Sequence, residues 1–218
     1  YDYLDPDVSV DWDLVDGDDV AAGAVIGTVS GPLRSILTGE RSALNFLGHL
    51  SGVATLTRAY VTAAGNDRTA IRDTRKTTPG LRALEKAAVR AGGGVNHRGG
   101  LSDAVLVKDN HLRWCSITDA VARARRRWPG VTVEVECDTL DQVAEAKAAG
   151  ADLVLVDNMT PDQVEAAVAV LGGAAPVEVS GGVTLENVAG YAAAGADLIS
   201  VGALTHSAPA LDIALDLD

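Results

Sequence analysis

Aromatic side chains are scarce in this sequence: three Trp, four Tyr and one Phe among 218 residues, or 4%. A core built with so few rests on aliphatic and small residues. The dominance of Ala, Val, Leu and Gly suits α/β layers, whose strands are Val/Leu runs and whose helices are Ala-rich. Cysteine is nearly absent too. Cys115 and Cys137 lack metal-ligand spacing, and with no signal peptide visible they read as reduced thiols of a cytoplasmic protein. No apolar run approaches the ~20 residues of a membrane helix, so no membrane partner is expected. Neither G-x-G-x-x-G nor G-x-x-x-x-G-K-[ST] occurs, which removes the dinucleotide fingerprint and the P-loop. Positive charge is in deficit: 18 Lys and Arg stand against 30 Asp and Glu, a net of −12. A nucleic-acid surface would be more broadly basic.

The positive charge that is present is concentrated. From Arg68 to Arg113 there are ten Lys or Arg and four Asp or Glu, a net of +6; the rest of the chain holds eight against 26, a net of −18. A basic island rich in Arg, Gly and His in an acidic background points to a focused site for a small polyanion. With 47% hydrophobic and 22% charged residues, the chain can bury one good core and a small second unit.

Residues 1–31 are short apolar runs broken by Asp, Gly and Pro, the punctuation of small antiparallel strands and turns. From Thr38 the spacing of Leu44, Leu47, Val53, Leu56 and Tyr60 predicts one or two helices ending near Gly65, with Thr38 as an N-cap. After Arg68, six Val/Leu/Ile runs alternate with Ala-rich helical segments: TAIRD, DAVLVKD, VTVEVEC, DLVLVDN, PVEVS and DLISVG. This alternation favours parallel β/α units. AAGADLVLVD at 148–157 recurs as AAGADLISVG at 193–202, an offset of 45 residues, which fits a helix end, a strand and one following β/α unit.

Chemistry gathers at the predicted strand ends: Asp73-Thr74-Arg75-Lys76, Lys108-Asp109-Asn110, Glu136, Asp157-Asn158, Ser180-Gly181-Gly182 and Gly202. In a (β/α) barrel these ends converge on one face, where the active site lies. A doubly wound sheet would also gather ligand groups there, but its glycine fingerprint is missing.

Each motif has a plainer alternative. Arg75 and Lys76 supply a planar fork beside a compact charge for carboxylate or phosphate, or they are a solvated basic turn. In GGGVNHRGG, the glycines around Asn96, His97 and Arg98 let backbone approach a ligand closely. His111 is a possible site residue or a turn residue. Glu136 and Asp157 suit ribose hydroxyls, a divalent cation or a developing positive charge, or they cap the following helices. Glu134 projects to the same face as Glu136, and the pattern does not choose between them. Ser180-Gly181-Gly182 and Gly202-Ala203 occupy late barrel turns, where backbone N–H groups and a helix N-terminus take phosphate. The run Arg123, Arg125, Arg126, Arg127 reads as a solvated helix end, and His49 as a structural or interface residue.

The blocks TGERSALNFLGHLSG, IRDTRKTTPGLRALEKAAVRAGGGVNHRGGLSDAVLVKDNH, VEVECDTL, VLVDNM, VEVSGGV and VGALTHSAPALDIALD together resemble quinolinate phosphoribosyltransferase, also called carboxylating nicotinate-nucleotide pyrophosphorylase. The likeness runs in consistent order from about Val15 to the C-terminus. It implies an α/β fold: a partial open-faced α/β sandwich (1–67, with connecting helices), an incomplete (β/α) barrel (68–206) and a C-terminal segment (207–218) returning toward the N-terminal part. It also implies that the start of the sandwich precedes Tyr1. The resemblance assigns the substrate dicarboxylate to Arg75, His97, Arg98 and Lys108, with Arg41 contributed by a partner subunit of a homodimer or higher homo-oligomer. Lys76 and His111 match basic positions near phosphoribosyl pyrophosphate. Glu136 and Asp157 match the acids at the ribose, which favours Glu136 over Glu134. Ser180, Gly181 and Gly202 match the 5-phosphate turns.

The implied reaction joins quinolinate to phosphoribosyl pyrophosphate, releasing pyrophosphate and CO₂ and leaving nicotinate mononucleotide for NAD biosynthesis. Lys108, Glu136 and Asp157 are the expected catalytic groups. Mg²⁺ is expected mainly on the substrate phosphates, with Glu136 and Asp157 as its protein ligands. Two rivals are a sibling phosphoribosyltransferase with another acceptor, which would change the carboxylate clamp, and a silent phosphate-ligand binder, which would bind without turnover.

Overall fold

The computed structural model describes residues 1–217. Near the N-terminus, β1 (Ser9–Trp12) and β2 (Gly27–Ser30) pair antiparallel, with Val10 opposite Val29. The Asp- and Gly-rich residues between them are turns and bends.

A single 32-residue helix, α1 (Leu33–Ala64), follows. It starts five residues before the predicted Thr38 cap. Pro32 holds the N-cap position in an extended conformation, where its missing N–H costs nothing because helix-start donors have no intrahelical acceptor. Thr38 lies inside the first turns and donates its hydroxyl to Arg34 O at 2.7 Å. Gly65, at φ 72°, ends the helix, a left-handed conformation that glycine adopts without strain. Residues 207–217 run back along α1, where Leu211 N donates to Gly48 O at 2.9 Å. A Cβ on Gly52 would stand 2.0 Å from Pro209 O, so this contact needs glycine.

The rest alternates strand and helix: β3 (Ala70–Arg72), α2 (Arg82–Ala91), β4 (Val105–Val107), α3 (Asp109–Leu112), α4 (Ile117–Arg127), β5 (Val133–Cys137), α5 (Leu140–Ala149), β6 (Leu153–Asp157), α6 (Pro161–Leu171), β7 (Val177–Ser180), α7 (Val188–Ala193), β8 (Leu198–Ser200) and α8 (Ala203–His206). All six strand candidates form, in one parallel sheet ordered β3-β8-β7-β6-β5-β4. The last strand therefore pairs with the first. Val95 adds an isolated parallel bridge to Arg72 on the free side of β3. Among the described residues no ladder joins that bridge to β4, so the barrel is incomplete at this one seam. The internal repeat falls on β6 and β8. Its 45-residue offset spans two β/α units, not one, because β7 with its own helix lies between them.

Strand alternation sorts the side chains into two environments. Ile71, Val133, Val135, Val154, Val156, Val177, Val179 and Ile199 face the helices and form the main apolar core. Full burial of each such side chain contributes about 1.5–3 kcal/mol. Cys137 belongs to this layer, and burial pushes its thiol up to about 12, so it stays an inert thiol. The opposite faces carry Arg72, Glu134, Glu136, Asp157, Glu178, Ser180 and Ser200 into the barrel. Such interiors are ordinarily filled with branched aliphatic residues; this one mixes charged and polar groups with leucines such as Leu106 and Leu155. The helices start cleanly: Thr139 with Gln142 and Thr160 with Gln163 form capping boxes on α5 and α6, each satisfying donors at a helix start.

Candidate active site at the mouth of the barrel

At the C-terminal ends of the strands lies a cavity of about 260 Å³. Eight predicted site residues line it together: Arg75, Lys76, His97, Arg98, Lys108, Glu136, Asp157 and Ser180. Arg41, His111, Gly181 and Gly202 are outside the lining. Thr74, named from the sequence only as part of a strand end, lines it too, as do Leu106, Leu155, Glu178 and Ser200, which were not singled out from the sequence.

The two basic segments are anchored to each other by Asp73, the residue just past β3. Its buried carboxylate pairs with Lys86 of α2, accepts from His97 N at 2.9 Å and accepts from Asn96 Nδ2 at 2.5 Å. Lys86 also donates to His97 O at 2.9 Å. Arg82, one turn earlier on α2, ties down the first segment, with Nε to Thr77 Oγ1 at 3.0 Å and a terminal nitrogen to Gly99 O at 3.1 Å. Thr78 N donates to Glu85, which His49 contacts at 2.8 Å. His49 therefore has the structural place expected of it.

Arg75 and Arg98 face the same space. Burial and the neighbouring Arg75 hold the Arg98 guanidinium below its ordinary value, with Glu134 and Asp103 opposing. Two guanidinium groups brought together at a partly buried mouth make an anion subsite, because bound negative charge relieves their repulsion. Lys108, at the start of α3, pairs with Glu136 Oε2. Its backbone N–H donates to His111 Nδ1 at 2.9 Å, so His111 shapes the Lys108 turn from an exposed position.

On the far side, Asp157 accepts from Asn158 Nδ2 at 2.6 Å. Asn158, at φ 55°, is the one non-glycine with positive φ among the described residues. Gly181, at φ 89°, packs so close that an added Cβ would sit 2.2 Å from Asn158 Oδ1, and Asn158 N donates to Ser180 O at 2.9 Å. The two strand-end turns thus form one unit. Gly202 lies against Lys76, with 3.2 Å from its would-be Cβ to Lys76 Cδ, and Thr205 donates to Lys76 O at 2.8 Å. Gly181 and Gly202 therefore pack directly against residues of the turns at the mouth, Asn158 and Lys76.

At the floor of the cavity is a buried layer whose pairings sequence reasoning missed. Glu178 pairs with Arg72 and accepts from Ser200 Oγ at 2.5 Å. His97 Nε2 lies 3.4 Å from both Glu134 Oε2 and Glu178 Oε1. Burial and the Glu134 charge push the Glu178 carboxyl up, against the pull of Arg72, His97 and the Ser200 hydrogen bond. The signal was present in VEVEC and PVEVS, where Glu interrupts strands that a parallel sheet ordinarily makes apolar throughout. Glu134 and Glu136 both point inward, as their spacing requires, but Glu136 lines the cavity while Glu134 is sealed below it.

His97, Glu134 and Glu178 are close enough to share a metal ion, yet the His97 ring and Glu178 are committed elsewhere, Glu178 to Arg72 and Ser200. Arg98 N donates to His97 Nδ1 at 2.7 Å, so the ring proton sits on Nε2, the nitrogen a metal would need. Glu136 and Asp157 belong to no such trio among the described residues.

An incomplete parallel barrel whose mouth gathers cationic side chains, two carboxylates and close-packed glycine turns defines an enzyme of small polyanions. Family and relatives agree on which one. The family model "Quinolinate phosphoribosyl transferase, C-terminal domain" matches residues 53–216, and that for the N-terminal domain matches residues 2–51. The probable nicotinate-nucleotide pyrophosphorylase [carboxylating] of Bacillus subtilis is 45% identical, over 98% of this chain and 75% of its own length. That of Mycobacterium leprae is 48% identical over 93% and 72%. The solved nicotinate-nucleotide pyrophosphorylase from Francisella tularensis superposes with a TM-score of 0.94 at 42% identity, covering 97% of this chain and 76% of that one. The chain belongs to the quinolinate phosphoribosyltransferase family. No helix among the described residues is long and apolar enough to cross a membrane.

Proposed function

We propose that this chain transfers the phosphoribosyl group of phosphoribosyl pyrophosphate to quinolinate and releases CO₂, yielding nicotinate mononucleotide for NAD biosynthesis. The observation that carries the assignment of roles is the convergence of Arg75, Arg98 and Lys108 with Glu136 and Asp157 on one cavity. Arg75, Arg98 and Lys108 bind the two ring carboxylates, with His97 at the floor, and aim the ring nitrogen at C1 of the ribose. Such orientation removes much of the entropic barrier. Lys76 faces the phosphates, and backbone N–H groups of the Ser180-Gly181 and Gly202 turns receive the 5-phosphate.

As pyrophosphate leaves, the ribose gains oxocarbenium character. Glu136 and Asp157 orient its hydroxyls and favour the positive charge. Lys108 acts twice, since its pairing with Glu136 sets that carboxylate and brings an ammonium to the substrate. CO₂ then departs from the nucleotide: the bond from the ring carbon to the carboxylate breaks, its electron pair stays on that carbon, stabilised by the adjacent cationic ring nitrogen, and the carbon takes up a proton from solvent. The donor set suits Mg²⁺ only as a shared ion: two carboxylates without a third acidic or His ligand match its habit of binding through one or two carboxylates plus substrate phosphates. When bound there it would neutralise charge on the departing pyrophosphate. The free thiols Cys115 and Cys137 suit a reducing, cytoplasmic setting.

A homodimer with shared active sites completes this reading. Arg41 is exposed on α1, outside the lining of its own cavity and on one helix stripe with Leu37 and Leu33, which are 49% and 54% exposed. An apolar helix face with a cation beside it suits a second copy of the chain. Mixing Arg41→Ala with an inactive barrel-site variant is expected to restore activity in hybrid dimers. No rescue, with subunit exchange confirmed, would place Arg41 in its own subunit.

The reaction itself is tested by incubating the protein with quinolinate, phosphoribosyl pyrophosphate and Mg²⁺ and measuring nicotinate mononucleotide and CO₂. Both products are expected in equal amounts. Tight binding of both substrates without product would instead make the barrel a silent binder.

A further inference from the structure

The segment carrying His97 and Arg98 has glycine on both sides, Gly92-Gly93-Gly94 before it and Gly99-Gly100 after it. Glycine leaves the backbone many accessible conformations, so the orientation of Arg98 must come from side-chain anchors. Asp73 and Lys86 supply one, by binding His97 N and His97 O. The other is the imidazole, whose Nδ1 accepts from Arg98 N at 2.7 Å while Nε2 faces Glu134 and Glu178. The ring is thus a strut between the barrel floor and the Arg98 backbone. Its side chain is 8% exposed.

Stability does not explain the floor. Taking a carboxylate out of water costs several kcal/mol even when it is partnered, and aliphatic residues would fill this layer at no such cost. Glu178 is compensated by Arg72 and Ser200. Glu134 is less so: its Oε1 is buried without a hydrogen-bond partner among the described residues, and its other oxygen lies 3.4 Å from His97 Nε2, its one ion-pair contact there. A buried acid whose one ion-pair contact is a ring in the wall of the substrate cavity is placed there for that ring.

Resting on the family's reaction as proposed above, we infer that Glu134 and Glu178 are positioning residues for quinolinate, acting through His97. They hold its ring in one Nε2–H tautomer and thereby fix the backbone from which Arg98 reaches the substrate carboxylates. Neither acid needs to touch quinolinate. Phosphoribosyl pyrophosphate, held by the opposite wall, is insensitive to them.

The decisive variants are Glu134→Leu, which keeps volume and removes the acceptor, and Glu134→Gln, which keeps an acceptor without the charge. Glu134→Leu is expected to raise the KM for quinolinate at least tenfold and to leave that for phosphoribosyl pyrophosphate within about threefold. Its thermal midpoint should be equal to or above that of the parent, since a burial cost has been removed. Glu134→Gln should rescue most of the quinolinate effect. An unchanged quinolinate KM, or equal loss for both substrates, would overturn the inference. A second measurement needs no turnover. With four histidines in the chain, ¹⁵N spectra of the ligand-free protein, assigned against His97→Asn, should show His97 as the neutral Nε2–H tautomer, giving way to mixed tautomers in Glu134→Leu. An Nδ1–H ring in the parent would overturn the inference even in an active enzyme. An inactive parent with the expected tautomer would fault the reaction and leave the strut supported.

Discussion

Replacing Arg98 by Ala is expected to lower kcat/KM for quinolinate by roughly 10²- to 10³-fold, with the affinity for phosphoribosyl pyrophosphate held within about threefold. Arg98 is half-buried beside Arg75 at the cavity wall, with one terminal nitrogen donating to Ala104 O at 3.1 Å. That bond leaves the rest of the fork for a carboxylate. Removing one member of a desolvated, hydrogen-bonded charge pair costs about 2–5 kcal/mol, which spans the stated range at 1.4 kcal/mol per decade. Arg98→Lys should recover only part of the loss, because an ammonium cannot bind both oxygens of a carboxylate in one plane. Steady-state kinetics with each substrate varied in turn decide the matter. A fall of equal size for both substrates would show that Arg98 supports the whole mouth, not the dicarboxylate end.

The second large effect is on stability. Asp73→Ala should destabilise the fold by about 3–5 kcal/mol, the usual result of breaking a buried ion pair by removing one partner. Asp73 is fully buried and Lys86 is 7% exposed, so the substitution strands the ammonium and also frees His97 N and Asn96 Nδ2. For a chain of this size each kcal/mol moves the thermal midpoint by about 2–4 °C, so a drop of roughly 6–20 °C is expected. Replacing Lys86 with Met as well should return part of it, since no charge is then left unpaired. A single-variant drop under about 1 kcal/mol in denaturant unfolding would mean that water reaches Lys86 and that the pair is not the anchor argued here. Loss of this anchor should also lower quinolinate turnover, because Asp73 joins the Arg75 and Arg98 segments.

Much of this was legible in one dimension. Short Val/Leu/Ile runs alternating with Ala-rich segments marked all six barrel strands, because strands covered on both sides in a parallel sheet are apolar along most of their length. The strand-end chemistry followed, since parallel strands must present the same end to the same side. Thr38 was misplaced because a threonine before an apolar stripe has the form of an N-cap, while Pro32 and the contacts of a 32-residue helix carried the start further back. The 45-residue repeat was undercounted by one unit for a similar reason: β7 between the two copies bears no trace of the repeated motif. Arg41 reads the same from its neighbours whether it serves its own cavity or another, and only the folded chain puts it on an exposed helix face.

The sequence by itself determined the basic island, the two strand-end acids, the glycine turns and the family they spell out, because these depend on residue identity and short spacing. Tertiary structure decided which groups meet. Glu134 and Glu136 share a strand face, and their depth differs only because the barrel closes around one and opens above the other. Arg72 and Glu178 found each other across 106 residues of chain. Such pairings arise when the β3–β8 ladder wraps the sheet around, and no local pattern of residues records it.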